Sequence, residues 1–82
     1  MSETYKLMFR AVINQCIDDL MDRDHTIRSD ALQYLRGDLF ESHRKIAGYP
    51  AGLRETLSET LLLSKSEQNY IIDLVREELI QS

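Results

Sequence analysis

The chain has 82 residues, 14 acidic and 10 basic side chains, a net charge of −4 and a hydrophobic content of 43%. This describes one small domain over residues 1–82, too apolar to remain disordered and too short for more than a limited core. The acidic balance argues against a sequence-independent grip on phosphate backbones, Leu61-Leu62-Leu63 is far too short to span a membrane, and one cysteine, Cys16, forms no internal disulfide. A lone thiol in a chain with no signal-peptide apolar region fits a reducing compartment, and a cytoplasmic location is expected.

Helical spacing dominates and β-branched alternation is absent, so the expected fold is all-α. The first helix is predicted over Glu3 to Arg23. Tyr5, Phe9, Ile13, Ile17 and Leu20 form one stripe, and Met8, Val12 and Cys16 an adjoining one. Together these cover roughly half the circumference, more than an ordinary surface helix needs. This helix is therefore central to the domain or shared with a second chain. A short helix follows, with Ser29 as N-cap, Ala31, Leu32 and Leu35 facing inward, and Gly37 as its stop. Asp38 is expected to cap a third helix over Leu39 to Ala47, and Gly48 suits its C′ position, where φ is positive. Pro50 is placed near the first position of a fourth helix, whose buried side is Leu53, Leu57 and Leu61. Ser64 with Glu67 reads as a capping box for the last helix. That helix is expected to bury Ile71, Leu74, Val75 and Leu79, with Ile72 and Ile80 at the margins. The result is a compact bundle of about five helices, two long terminal ones and three short central ones.

The only proline and all three glycines fall between Gly37 and Gly52. Phe40 to Leu53 reads as helix, Ala-Gly turn, helix, the outline of a helix-turn-helix. A DNA-binding version needs base-reading side chains on the second helix, which here offers Arg54, Glu55, Thr56, Ser58 and Glu59. Positive charge lies ahead of that helix instead, at Arg36, His43, Arg44 and Lys45. Arg44, Lys45 and Arg54 are the candidate nucleic-acid contacts, with a plain helical corner as the competing reading. Tyr34 and Phe40 are assigned to the core, with the Tyr34 hydroxyl reaching water at the rim. Tyr49, in the turn between Gly48 and Pro50, is expected to be exposed, as a lid over the corner or as a contact for a partner.

The same segment resembles a pattern found in small phage, prophage and mobile-element proteins. That pattern runs Ala-x-x-Trp-Leu-x-Ser-x-x-Phe, three residues, Cys, two residues, Ala-Gly, then a Pro and a Val/Leu-Arg. The match is carried by Ala31, Leu35, Phe40, Ala47, Gly48, Pro50, Leu53 and Arg54. Tyr34 stands in place of the Trp, Gly37 of the Ser and Arg44 of the Cys, and the Pro-to-Arg spacing is shortened. The resemblance implies a mobile-element origin and a regulator or inhibitor of host or phage factors, and it brings no catalytic residue.

Asp22-x-Asp24-x-Thr26 superficially resembles a calcium loop, but Ile27 and Gln33 stand where the turn glycine and the bidentate glutamate are needed. His25 and His43 lack zinc-ligand spacing, Cys16 sits on an apolar helix face, and the neighbours Ser42 and His43 point in different directions on a helix. No phosphate-binding glycine motif occurs. No catalytic residue, metal or cofactor is therefore expected, and enzyme activity is not. Asp18, Asp19, Asp22 and Asp24 form the densest charge cluster, readable as a solvated helix end or as a DNA-mimicking surface.

By elimination, the leading expectation is a small protein-binding regulator or inhibitor acting through helical apolar surface, as a homodimer or in a heteromeric complex. Its candidate contacts are Tyr5, Met8, Phe9, Val12, Ile13 and Tyr49. The alternatives are a helix-turn-helix transcription regulator and an acidic inhibitor of a nucleic-acid-binding host protein.

Overall fold

The apolar spacing is realised as five α-helices in the computed structural model, which describes residues 3–81. They are α1 (Glu3–Leu20), α2 (His25–Arg36), α3 (Asp38–Ala47), α4 (Leu53–Thr60) and α5 (Lys65–Ile80), with no strand among the described residues. None is long and apolar enough to cross a membrane. Helix α1 lies against both α2 and α3, and α4 packs with α5. Ile13, Cys16, Ile17 and Leu20 of α1 join Ala31, Leu35, Phe40, Ala47, Leu57 and the inner face of α5 in one core. Phe40, Ile13, Ile17, Leu35 and Leu57 are its largest fully buried side chains. Each contributes about 1.5–3 kcal/mol of transfer free energy.

Several boundaries differ from the sequence expectation, each for a local reason. Helix α1 stops at Leu20, where Met21 and Asp22 donate to Asp18 O and Asp19 O in the tighter i→i+3 pattern of a closing turn. Helix α2 is capped by Asp24, whose Oδ1 accepts from Thr26 N at 2.8 Å and Ile27 N at 3.3 Å. Ser29, the expected cap, lies exposed inside α2. Asp38 does not cap α3. It is the first helical residue, and Gly37 both ends α2 and precedes α3 without a side-chain cap. Asp38 and Glu41 instead place negative charge on the first turn, where the helix dipole favours it.

The last helix is turned relative to expectation. It buries Ile72, Val75 and Leu79, while Ile71 is half-buried and Leu74 exposed. The expected capping box is present: Ser64 Oγ accepts from Glu67 N, and the Glu67 carboxylate accepts from Ser64 N.

The corner between α3 and α4 is built by backbone chemistry. Gly48 has φ 73°, its N–H bonds Lys45 O at 3.1 Å, and Tyr49 N–H bonds Arg44 O at 3.2 Å. These two bonds make a Schellman motif with Gly48 at C′ and Tyr49 at C″. Pro50 does not begin α4. Leu53 N–H bonds Pro50 O at 3.3 Å and Gly52 has φ 93°, the geometry of a type II turn whose third residue must take positive φ. Helix α4 starts only after this second turn, at Leu53.

Candidate functional site

Three surfaces carry the sequence-predicted residues, and the structure treats them differently. At the corner, the Schellman turn folds Tyr49 back onto α1. Tyr49 is 5% exposed, so it belongs to the core and not to the exposed position expected from the sequence. Its hydroxyl donates to Asn14 Oδ1 at 3.0 Å, and the Arg10 guanidinium sits 5.1 Å from its ring centroid. Arg10 Nε also donates to Ala47 O at 2.8 Å, so one side chain of α1 holds both the end of α3 and the turn. Arg44 is 8% exposed. Its Nη1 donates to Tyr49 O at 2.8 Å and its Nε to Glu41 Oε2 at 3.2 Å. Arg54 Nη2 donates to Gly37 O at 2.8 Å, and its guanidinium lies 5.8 Å from the Phe40 ring centroid. Two of the three candidate phosphate contacts are thus internal struts, and Lys45 alone stands free in solvent as the sequence reading assumed. The exposed residues of the would-be recognition helix α4 are Glu55, Thr56 and Glu59, an acidic set.

Beside the corner, the Tyr34 hydroxyl does not end in water but lies 2.7 Å from His43 Nδ1. The His43 ring in turn lies against Phe9, with centroids 4.6 Å apart. Burial, reinforced by the nearby Cys16, pushes the Tyr34 phenol up to about 12. The Cys16 thiol is also pushed up to about 12, by burial first and by the Asp19 carboxylate second. A thiol of that kind is inert at neutral pH.

At the acidic end, the carboxylates are mostly engaged. Asp18 pairs with Arg76 at 2.6 Å, Asp19 accepts from Gln15 at 2.9 Å, Asp22 accepts from Asp24 N at 2.8 Å, and Asp24 caps α2. No group of three or more His, Cys, Asp or Glu able to hold a metal ion occurs among the described residues.

The third surface is the outer face of α1. Because Ile13, Cys16, Ile17 and Leu20 define the inward line, the residues half a turn away point to solvent. In the N-terminal half these are Leu7, Met8 and Ala11, flanked by Tyr5 and Val12, all exposed. On one flank, a groove of about 490 Å³ against α5 is lined by Leu7, Ala11, Leu79 and Ile80, with Arg10 and Arg76 at its edge. On the other, a groove against α2 is lined by Met8, Ala11, Val12, Ala31 and Tyr34 together with the carboxylates of Asp19 and Asp30. Of the predicted protein contacts, Tyr5, Met8 and Val12 lie on this face. Phe9 is half-buried beneath it, and Ile13, at 0% exposure, is a core residue that no partner touches. Sequence reasoning missed Leu7 and Ala11, and it placed Ile80 at the apolar margin of the last helix without naming it as a contact. Leu7 and Ala11 were detectable as an i,i+4 pair lying outside both apolar stripes.

Fold and surface together define an all-helical chain that presents an apolar helix face between two shallow grooves. No family model, curated protein or solved structure matches the chain.

Proposed function

We propose that this chain is a non-catalytic interaction protein that binds a protein partner through the outer face of α1 and alters that partner's activity by occupying its surface. The observation that carries the reading is the exposed strip of Leu7, Met8, Ala11 and Val12 on a helix whose opposite side already fills the core. Apolar side chains in that position leave surface whose burial against a partner is worth about 25 cal/mol per Å². Contiguous patches of this kind on small domains mark contact sites. The resemblance of residues 31–54 to small mobile-element proteins fits a regulator or inhibitor, and the internal roles of Arg44 and Arg54 favour protein over nucleic acid as the target.

A photo-crosslinking residue placed at Met8, and a control at the equally apolar but distant Leu62, test this in the producing cell. The expected result is a discrete adduct from position 8, abolished by Ala11→Glu, and none from position 62. Absence of an adduct at position 8, or equal adducts from both positions, overturns the reading.

A further inference from the structure

We propose that the occupant of the α1 face is a second copy of this chain, packed antiparallel about a two-fold axis. The proposal rests on the protein-binding reading of that face and names its partner. Three observations lead to it. The first is charge. Two copies of a chain with net charge −4 repel. The strip Thr4, Leu7, Met8, Ala11, Val12 and Gln15 nevertheless contains no ionisable side chain, and all six residues are exposed. A two-fold interface sets a surface against itself, so an uncharged strip is where two copies approach without local repulsion. Asp18 and Asp19 lie beyond the strip at the C-terminal end of α1. Antiparallel packing keeps the Asp18–Asp19 pairs of the two copies at opposite ends of the interface.

The second observation is register. Pairing each residue with the one that brings their numbers to a constant sum sets Met8 against the partner's Ala11, Leu7 against its Val12 and Thr4 against its Gln15. A long side chain then meets a small one, apolar meets apolar, and the polar residues meet at the two ends. This is the large-against-small pattern of close helix packing.

The third is area. Leu7, Met8 and Val12 are 38% to 57% exposed, Thr4, Ala11 and Gln15 of the same strip are exposed, and Ile80, which shares the α1–α5 groove with Leu7, is 81% exposed. Together they leave on the order of 500 Å² to be covered, the size of a monomer's largest surface patch. Two copies burying it reach about 1,000 Å² in total, the threshold for a specific interface.

Size-exclusion chromatography with light scattering of the full chain at about 100 µM, above the micromolar Kd expected of so small an interface, is the test. The expected mass is twice 9.6 kDa. Met8→Lys sets like charges across the interface and should weaken the dimer at least about 100-fold with helical circular dichroism unchanged, since Met8 is exposed in the single chain. Leu62→Lys should remain dimeric. Mixing Met8→Cys chains with Ala11→Cys chains should give a mixed disulfide faster than either variant alone. A monomeric wild type, a dimer that survives Met8→Lys, or faster disulfide formation within either single variant overturns the proposal. A monomer that still forms a position-8 adduct with another protein removes the second copy while leaving the protein-binding reading standing. Loss of both removes the reading itself.

Discussion

Replacing Arg44 should destabilise the domain far more than replacing its sequence neighbour Lys45. The Arg44 Nη1 to Tyr49 O bond is buried and 2.8 Å long. A hydrogen bond from a charged donor of this kind is worth about 1.5–3 kcal/mol, and its loss leaves a buried carbonyl without that partner. The ion pair with Glu41 is 3.2 Å long, but the Glu41 side chain is 38% accessible, so solvent screening reduces its share to a few tenths of a kcal/mol. Arg44→Ala should therefore cost about 2–3 kcal/mol, equivalent to a Tm drop of roughly 10–20 °C in a domain of this size. Arg44→Met keeps most of the aliphatic stem and should recover part of the packing but not the hydrogen bond. Lys45→Ala, on the exposed side, should lie within about 0.5 kcal/mol of wild type. Urea denaturation followed by circular dichroism measures all three. Equal midpoints for Arg44→Ala and Lys45→Ala would refute the reasoning, and with it the internal role assigned to Arg44.

Other consequences are equally direct. Gly48→Ala forces a Cβ into the left-handed region at φ 73° and within 3.3 Å of the Lys6 side chain, so a loss of about 1–2 kcal/mol is expected in the same urea assay. Glu67 is held below the usual carboxylate range by the Ser64 side-chain hydrogen bond and then by its backbone bond. A depressed folded-state value means that this contribution is present above the unfolded Glu range, about 4.3, and is lost as pH falls through the folded one. The acid limb of a stability–pH profile should therefore flatten in Glu67→Gln, and an unchanged profile would remove the capping box from the account. Cys16, buried with its thiol raised to about 12, should react with an aromatic disulfide reagent at neutral pH only as fast as the domain opens, so labelling should accelerate in step with added urea. Tyr34, also raised to about 12, contributes stability fully below the unfolded phenol range and loses it as pH rises through the folded value. A 295 nm titration should show a tyrosine fraction ionising near 12, and Tyr34→Phe should remove that fraction.

What was legible in the chain was what local backbone chemistry decides. Gly48 as a left-handed cap and Ser64 with Glu67 as a capping box needed no tertiary partner to be read correctly. The start of α2 lies about a turn earlier than Ser29 implied, because Asp24 Oδ1 accepts from Thr26 N and Ile27 N and caps the helix first. The face of α5 was ambiguous. Ile71, Ile72, Leu74, Val75, Leu79 and Ile80 support more than one inward line, and contact with the rest of the core chooses 72, 75 and 79. Tyr49 was misplaced because residues in turns are usually exposed. The Schellman motif that Gly48 announces reverses the chain at Tyr49, and that reversal sets its ring against α1. The breadth of apolar surface on α1 was visible in the sequence. Which part of it stays uncovered depends on where α2, α3 and α5 settle.

The clamp made by Arg10 also bears on how the domain assembles during synthesis. Its acceptor at Ala47 lies 37 residues further along the chain, and the Asn14–Tyr49 bond spans 35. At roughly 5–20 residues per second, several seconds of translation separate α1 from the groups that hold it. Until the corner emerges α1 has only α2 to pack on, and the side of it that meets α3 and the corner stays open to a nascent-chain chaperone.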